Sequence, residues 1–93
     1  MSGKLREFDI ANYLNDNKII AAYLTEILED GNMEEFLTAI DEIARAKGMT
    51  KVSKESGLSR ESLYKSFKAN AHPRFDTVLK VLNSFGINLH AVA

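Results

Sequence analysis

The sequence predicts an all-α domain that covers the whole chain, residues 1–93. Apolar residues recur at spacings of three and four through most of the sequence, as they do on one face of a helix. Glycines stand where these apolar stripes stop, and N-capping residues stand where they start. A length of 93 residues supports one modest core and no deep catalytic cleft. We therefore expect a single helical bundle.

The composition excludes several kinds of function. The chain has no cysteine, which rules out disulfides and thiolate metal sites, and its two histidines are too few for a histidine-rich metal site. No arrangement of Ser, His and Asp or of paired carboxylates indicates an active site. No apolar run approaches the roughly 18–20 residues of a membrane span, and no signal peptide opens the chain. We expect a cytoplasmic protein that is not an enzyme and uses no metal or cofactor.

The pattern of residues 8–31 predicts an N-terminal helical extension. A helical stripe runs through this segment and Gly31 follows it as a stop. The stripe consists of Ile20, Tyr23, Leu24, Ile27 and Leu28. This segment is too apolar to be a disordered tail.

Residues 32–86 form the predicted core. Asn32 is the expected N-cap of the next helix, with Glu35 three residues further on, as in a capping box. The apolar stripe of this helix continues until Gly48 ends it. Because each stripe is narrow, we expect the helices to pack on one another. The last helix, which Gly86 closes, carries Phe75, Val78, Leu79, Leu82 and Phe85.

Residues 50–69 predict two short helices joined by a turn. The first helix, residues 50–56, stops at Gly57-Leu58, and Ser59 stands where the second helix needs an N-cap. The second helix, residues 60–69, has only a thin apolar seam. Its other face is polar and mostly basic, and it comprises Arg60, Glu61, Tyr64, Lys65 and Lys68.

The C-terminal segment, residues 87–93, alternates apolar and polar residues with a period of two, which predicts a short strand. A single strand has no partner in a helical domain. It therefore either pairs with its copy in a second subunit or remains an extended tail.

Charge is distributed unevenly along the chain. Residues 1–32 carry a net charge of −3, residues 33–47 carry −2 and residues 48–93 carry +4. An acidic half joined to a basic half indicates two different partners. The alternative interpretation is uneven scatter in a short sequence.

Two helices joined by a glycine-containing turn, with a basic face on the second, are typical of a DNA-binding helix-turn-helix motif. In the major groove, Arg60 could donate two hydrogen bonds to guanine, and Glu61 could accept one from cytosine. Phosphates are the expected contacts of the other basic residues, which are Lys54, Lys65, Lys68 and Arg74. The competing interpretations are a merely solvated helix surface and, for Tyr64, half-buried packing. The candidate DNA-contacting residues are Thr50, Lys54, Ser59, Arg60, Glu61, Tyr64, Lys65, Lys68 and Arg74.

Two sequence strings carry a closer resemblance. The string GMTKVSKESGLSRESLYKSFKANAHPRFDTVLKVLNSFGINL resembles the addiction-module antidote branch of the Xre, or lambda-repressor-like, helix-turn-helix proteins. The upstream string FDIANYLNDNKIIAAYLTEILEDGNMEEFLTAIDEIARAKGM resembles the same branch, so the resemblance covers about residues 8–90. Ser53 stands where these motifs usually have alanine, and its hydroxyl therefore needs a backbone partner. Arg74 stands at the expected cap, where Ser or Thr is common.

This resemblance implies a lambda-repressor-like helical bundle and the function of a HigA-like bacterial antitoxin. Such a protein neutralises a RelE/HigB-like toxin encoded beside it. It also represses the shared operon as a homodimer on double-stranded operator DNA, which places it at the nucleoid in the bacterial cytoplasm. Two alternatives remain open: a phage-type transcriptional repressor without a toxin partner, and a helical interaction module that has lost DNA binding.

The acidic segment at residues 8–30 has its own predicted role. A toxin that acts on RNA must be basic to hold phosphates, so an acidic and partly apolar surface is complementary to it. We expect this segment to supply much of the toxin contact. The alternative is that it only fills out the core.

Overall fold

The computed structural model describes residues 9–93, and predictions that fall on residues 1–8 lie outside the described residues. The chain forms a 3₁₀ turn at Ile10–Tyr13 and five α-helices. No strand is present in residues 9–93, which confirms the all-α prediction, and no helix there is long and apolar enough to cross a membrane. The helices are α1 Asn17–Asp30, α2 Met33–Lys47, α3 Met49–Ser56, α4 Arg60–Phe67 and α5 Phe75–Ser84.

Aspartate side chains cap the first two elements. The Asp9 carboxylate accepts a hydrogen bond from the Ala11 N–H at 3.1 Å, at the start of the 3₁₀ turn. At the start of α1, Asp16 accepts hydrogen bonds from the N–H groups of Lys18 and Ile19. Each cap pairs backbone donors that have no partner within the helix, and this determines where the element begins.

The connection between α1 and α2 follows the sequence pattern. Gly31 ends α1 in the left-handed conformation, with φ of 78°. Asn32 then accepts a hydrogen bond on Oδ1 from the Glu35 N–H at 3.0 Å, which confirms the predicted N-cap. In α2 Glu34 and Glu35 lie in the first turn and the basic residues Arg45 and Lys47 lie in the last, as the helix dipole favours.

All five helices bury side chains in one hydrophobic cluster. The N-terminal helix α1 contributes Ile20, Tyr23, Leu24 and Ile27, so it shares its core with the helices that follow. Packing of α3 and α4 on this cluster fixes the position of the predicted DNA-binding segment. The large side chains that are fully buried are Ile20, Ile40, Ile43, Val52, Leu63, Val81 and Leu82.

The predicted C-terminal strand does not form. The Ile87 N–H donates to the Leu82 carbonyl at 3.0 Å and the Ile87 side chain is buried, but residues 87–93 adopt no regular secondary structure. A strand needs a neighbouring strand for its hydrogen bonds, and the helices of this chain offer none. The period-two pattern therefore does not produce a strand in the single chain.

Gly86 lies at a close approach between the two ends of the fold. Its φ is 81°, and a Cβ atom at this position would lie 2.5 Å from Nδ2 of Asn17. The start of α1 and the end of α5 are therefore in contact. Glycine is suited to this position both by its conformational freedom and by its lack of a side chain.

Candidate nucleic-acid interface

The helices α3 and α4 are joined by the three residues Gly57, Leu58 and Ser59. Gly57 has φ of 80°, and its N–H donates to the Ser53 carbonyl at 3.0 Å. No atom lies within 4 Å of a Cβ built on Gly57, so the turn requires glycine for its conformation and not for space. The predicted turn glycine is therefore confirmed.

Two serines of α3 hold the turn. The Ser53 hydroxyl donates to the Leu58 carbonyl at 2.5 Å, and Ser56 Oγ accepts from the Leu58 N–H at 3.2 Å. Both polar groups of Leu58 are thus bonded to side chains of the preceding helix. The predicted need of Ser53 for a backbone partner is confirmed by this hydrogen bond.

The start of α4 is defined by a side-chain cap. Ser59 Oγ accepts a hydrogen bond from the Ser62 N–H at 3.0 Å, which confirms Ser59 as the N-cap. The predicted seam is also observed, because Leu63 and Phe67 are both buried. The helix ends at Phe67, two residues earlier than predicted, where Lys68 turns to an extended conformation.

All nine candidate DNA-contacting side chains belong to exposed residues. The structure brings Arg60, Glu61, Tyr64 and Lys65 together on α4, with Ser59 before them and Lys68 directly after. The basic residues Lys54, Arg60, Lys65 and Lys68 form no ion pair within residues 9–93. Thr50 and Lys54 lie on α3. The positive charges of Lys54, Arg60, Lys65 and Lys68 are therefore not paired with acidic side chains of residues 9–93.

Arg74 lies next to Lys65 of this surface. It occupies the N-cap position of α5 without a capping side-chain hydrogen bond, and its Nε lies 3.2 Å from Asp76 Oδ1. Arg74 and Lys65 line one shallow polar cleft, together with His72 and Thr77. The guanidinium is exposed, so it remains accessible to an anion while it is paired.

Tyr64 contacts two guanidinium groups. The central carbon of the Arg45 guanidinium lies 5.0 Å from the centroid of the Tyr64 ring, and that of Arg60 lies 6.0 Å from it. Arg45 also donates from Nε to Asp41 Oδ2 at 2.8 Å, and this bond raises the pKa of Arg45 above its usual value. Tyr64 is exposed and part of the basic face, so the alternative interpretation of half-buried packing is not supported.

The sequence interpretation did not include Arg45 in the site. The ion pair between Asp41 and Arg45 could have been predicted from the sequence, because the two residues are spaced i,i+4 on a helix. The approach of Arg45 to Tyr64 has no such signal, because it depends on how α2 and α4 cross.

Lys47 fastens the 3₁₀ turn to the end of α2. Its Nζ donates to the Leu14 carbonyl at 2.9 Å and lies 5.8 Å from the centroid of the Phe85 ring. Burial, with a smaller contribution from the positive charge of Lys51, lowers the pKa of Lys47. No group of His, Cys, Asp or Glu side chains in residues 9–93 could hold a metal ion.

Residues 9–93 define a small all-helical fold with a short helix pair and a basic face whose cations form no ion pair within that range. The chain belongs to a family described as "probable addiction module antidote protein", whose family model it matches over residues 4–93. It is 39% identical over 87 residues to an uncharacterized protein of Haemophilus influenzae, a match that covers 94% of this chain and 90% of that protein. No solved structure shows a significant match. Membership of this family indicates an antitoxin, a regulatory protein with a toxin as its partner.

Proposed function

We propose that this protein is a DNA-binding antitoxin, which represses its own operon and also neutralises a RelE/HigB-like toxin. The observation that carries the proposal is the exposed basic face of α4, which forms no ion pair within residues 9–93, in a chain of the antidote family. A phage-type repressor would use the same face, but the family match favours a protein with a toxin partner.

The proposed DNA contacts divide into two groups. Arg60 and Glu61 lie in the first turn of α4, the part of a recognition helix that points at base edges in the major groove. Arg60 suits the O6 and N7 acceptors of guanine, and Glu61 suits the N4 donor of cytosine. The remaining cations, Lys54, Lys65, Lys68 and Arg74, surround this point and would bind phosphates, which position the protein without selecting a sequence.

Thr50, Ser59 and Tyr64 complete the proposed interface. Thr50 and Tyr64 each carry an exposed hydroxyl that can donate to a phosphate oxygen. The Ser59 hydroxyl accepts from its own helix, and its remaining donor is available to the backbone of DNA.

The active form on DNA is proposed to be a homodimer. A single recognition helix contacts too few base pairs for useful specificity, and a twofold dimer doubles that number. Its operator should therefore contain inverted half-sites about 34 Å apart, or a multiple of that distance. The C-terminal tail, residues 87–93, is available to contribute to the dimer contact.

The acidic N-terminal half is proposed to meet the toxin. Glu26, Glu29 and Asp30 are exposed on α1 and Glu34 is exposed on α2, and none of them forms an ion pair within residues 9–93. A negative surface is repelled by DNA, so Glu26, Glu29 and Asp30 should face away from the operator, whereas Glu34 lines the same pocket as Lys68. An RNA-acting toxin must be positively charged, and it would be attracted to this surface.

Two measurements on the same preparation test the proposal. Co-expression with the neighbouring reading frame should restore growth that this frame alone arrests, and the two products should co-purify. The protein alone should protect two inverted half-sites upstream of its own gene in a footprint, with an affinity that falls as salt rises. Growth rescue without DNA binding would remove the repressor half of the proposal. DNA binding without rescue would favour the phage-type repressor.

A further inference from the structure

Exposed apolar side chains gather around one groove. Residues 9–93 contain seven large hydrophobic residues with exposed side chains, and four of them line the same groove of about 310 Å³. Phe75 is 68% exposed and Met33 is 57% exposed, and Leu28 and Leu89 are the other two. The buried residues Phe36 and Val78 also line the groove.

The groove is assembled from separate parts of the chain. Leu28 lies near the end of α1, Met33 is the first residue of α2, Phe75 is the first residue of α5, and Leu89 belongs to the C-terminal tail. Scattered single apolar residues are ordinary on protein surfaces, whereas a contiguous cluster marks an interaction site. Because these four exposed residues line one groove, they form a contiguous cluster of the kind that marks an interaction site.

Three exposed acidic residues directly follow groove-lining residues in the sequence, although none of them lines the groove itself. Glu29 and Asp30 follow Leu28 directly, and Glu34 follows Met33. Glu29 and Asp30 stand in the last turn of α1, where no basic residue is present and where the helix dipole disfavours negative charge. Stability of α1 therefore does not account for these two residues. We call the groove together with Glu29, Asp30 and Glu34 the acidic-rimmed groove.

We propose that the acidic-rimmed groove is the docking site of the toxin. Its occupant is a segment of the toxin that presents an apolar side chain between Lys or Arg residues. This inference rests on the proposed function, and it adds the surface and the chemistry of the contact. The apolar side chain covers Met33 and Phe75, and the flanking cations meet Glu29, Asp30 and Glu34.

Charge selects this occupant over the other candidates. A second copy of this chain has a net charge of −1 and the same acidic residues next to its own groove, so charge complementarity does not favour it as the occupant. DNA would be repelled by the same residues. A basic segment is attracted by the rim and buries the apolar residues as well.

The groove borders the proposed DNA-binding surface. His72 and Pro73 line both the groove and the polar cleft that contains Lys65 and Arg74. Variants that test toxin binding should therefore be accompanied by a measurement of operator binding. Met33 is the better position for this purpose, since it lies on α2 and not beside Arg74.

The experiment uses the full chain and the purified product of the adjacent reading frame, with affinity measured by calorimetry. Met33→Gln and Phe75→Gln should each weaken toxin binding tenfold or more, while operator affinity of Met33→Gln remains within twofold of the unsubstituted protein. Val92→Gln is the matched control, because Val92 is 91% exposed but does not line the groove. It should leave both affinities unchanged.

Charge reversal separates a docking role from a structural one. Relief of the unfavourable dipole interaction should raise the melting temperature of the E29K/D30K variant, yet its toxin affinity should fall tenfold or more at low salt. The loss should shrink as salt rises. Glu42→Lys, which reverses an exposed acid further along α2, is the control and should bind toxin normally.

Three results would overturn the assignment. Unchanged toxin affinity in both Met33→Gln and Phe75→Gln would exclude the groove as the docking site. A lower sedimentation mass of Phe75→Gln without toxin would show that a second copy covers the groove. If the unsubstituted protein binds no toxin, the toxin half of the proposed function fails first and the docking assignment fails with it.

Discussion

The guanidinium of Arg45 lies over the ring of Tyr64, with 5.0 Å between its central carbon and the ring centroid. Arg45 belongs to α2, which is packed into the core, and Tyr64 belongs to α4. Asp41 holds Arg45 in place from one turn earlier on α2. This contact therefore links the proposed recognition helix to the helix that supports it, outside the hydrophobic core.

Replacement of Tyr64 tests this link. Tyr64→Leu removes the aromatic face and should lower the free energy of unfolding by about 0.5–1 kcal/mol, the usual range for an exposed cation–π contact. Tyr64→Phe keeps the ring, and its free energy of unfolding, measured by urea denaturation, should be close to that of the unsubstituted protein. An equal loss in both variants would mean that the hydroxyl, and not the ring, makes the stabilising contact.

Gly57 provides a test of the turn between α3 and α4. Gly57→Ala should destabilise the protein by about 1–2 kcal/mol, because a residue with a Cβ is strained in the left-handed conformation. Gly57→Asn should destabilise the protein less than Gly57→Ala does, since asparagine tolerates the left-handed conformation better than alanine. Thermal unfolding of the two variants gives the comparison. Equal stability of Gly57→Ala and the unsubstituted protein would contradict the turn geometry.

Lys47 and Lys51 form a matched pair for mutation. Lys47→Ala removes a hydrogen bond from a charged group to the Leu14 carbonyl and should lower the free energy of unfolding by about 1–2 kcal/mol. Lys51 is exposed, and Lys51→Ala should change the free energy of unfolding by less than about 0.5 kcal/mol. Chemical denaturation measures both. A similar small effect for the two variants would show that the 3₁₀ turn is not held by Lys47.

Arg60 and Lys65 test the division between base and phosphate contacts. Arg60→Ala should weaken specific operator binding by about 1–3 kcal/mol and relax base preference at one position in each half-site. Lys65→Ala should weaken binding to all sequences and flatten the dependence of affinity on salt. Competition binding against a library of operator variants distinguishes them. Intact sequence preference in Arg60→Ala would place the recognition helix differently in the groove.

A chain that begins at Asn32 tests the role of α1 in stability. It lacks Ile20, Tyr23, Leu24 and Ile27, and the loss of each large buried side chain costs about 2–5 kcal/mol. Their sum is comparable to the roughly 5–15 kcal/mol that stabilises a whole domain. Circular dichroism should therefore show no cooperative unfolding transition. A folded truncated chain that melts cooperatively would show that α1 is dispensable for the core.

Local chemistry explains why the helix boundaries were predictable. Asn32 and Ser59 form the caps expected from their side chains, and Gly31 and Gly57 take the left-handed conformations expected where helices end. Each of these features depends on a few neighbouring residues. The order of the helices and the exposure of the basic face on α4 follow from the same short-range patterns.

Features that depend on how helices meet were not predictable. Phe75 fits the apolar stripe of α5, but as the first residue of that helix it lies beyond the edge of the core and is exposed. The period-two pattern at residues 87–93 predicts a strand correctly only if a partner strand exists. The contact of Arg45 with Tyr64 depends on the crossing of α2 and α4, which periodicity does not encode.

The shared core of α1 and the helix pair α3–α4 has a consequence for the turnover of this protein. A protease that engages α1 would withdraw four side chains from the cluster on which α3 and α4 rest. The surface proposed to hold the toxin and the surface proposed to hold DNA would then collapse together. Under the proposed function, one degradation event would release the toxin and open the operon at the same moment, and the two proposed activities would share a single lifetime in the cell.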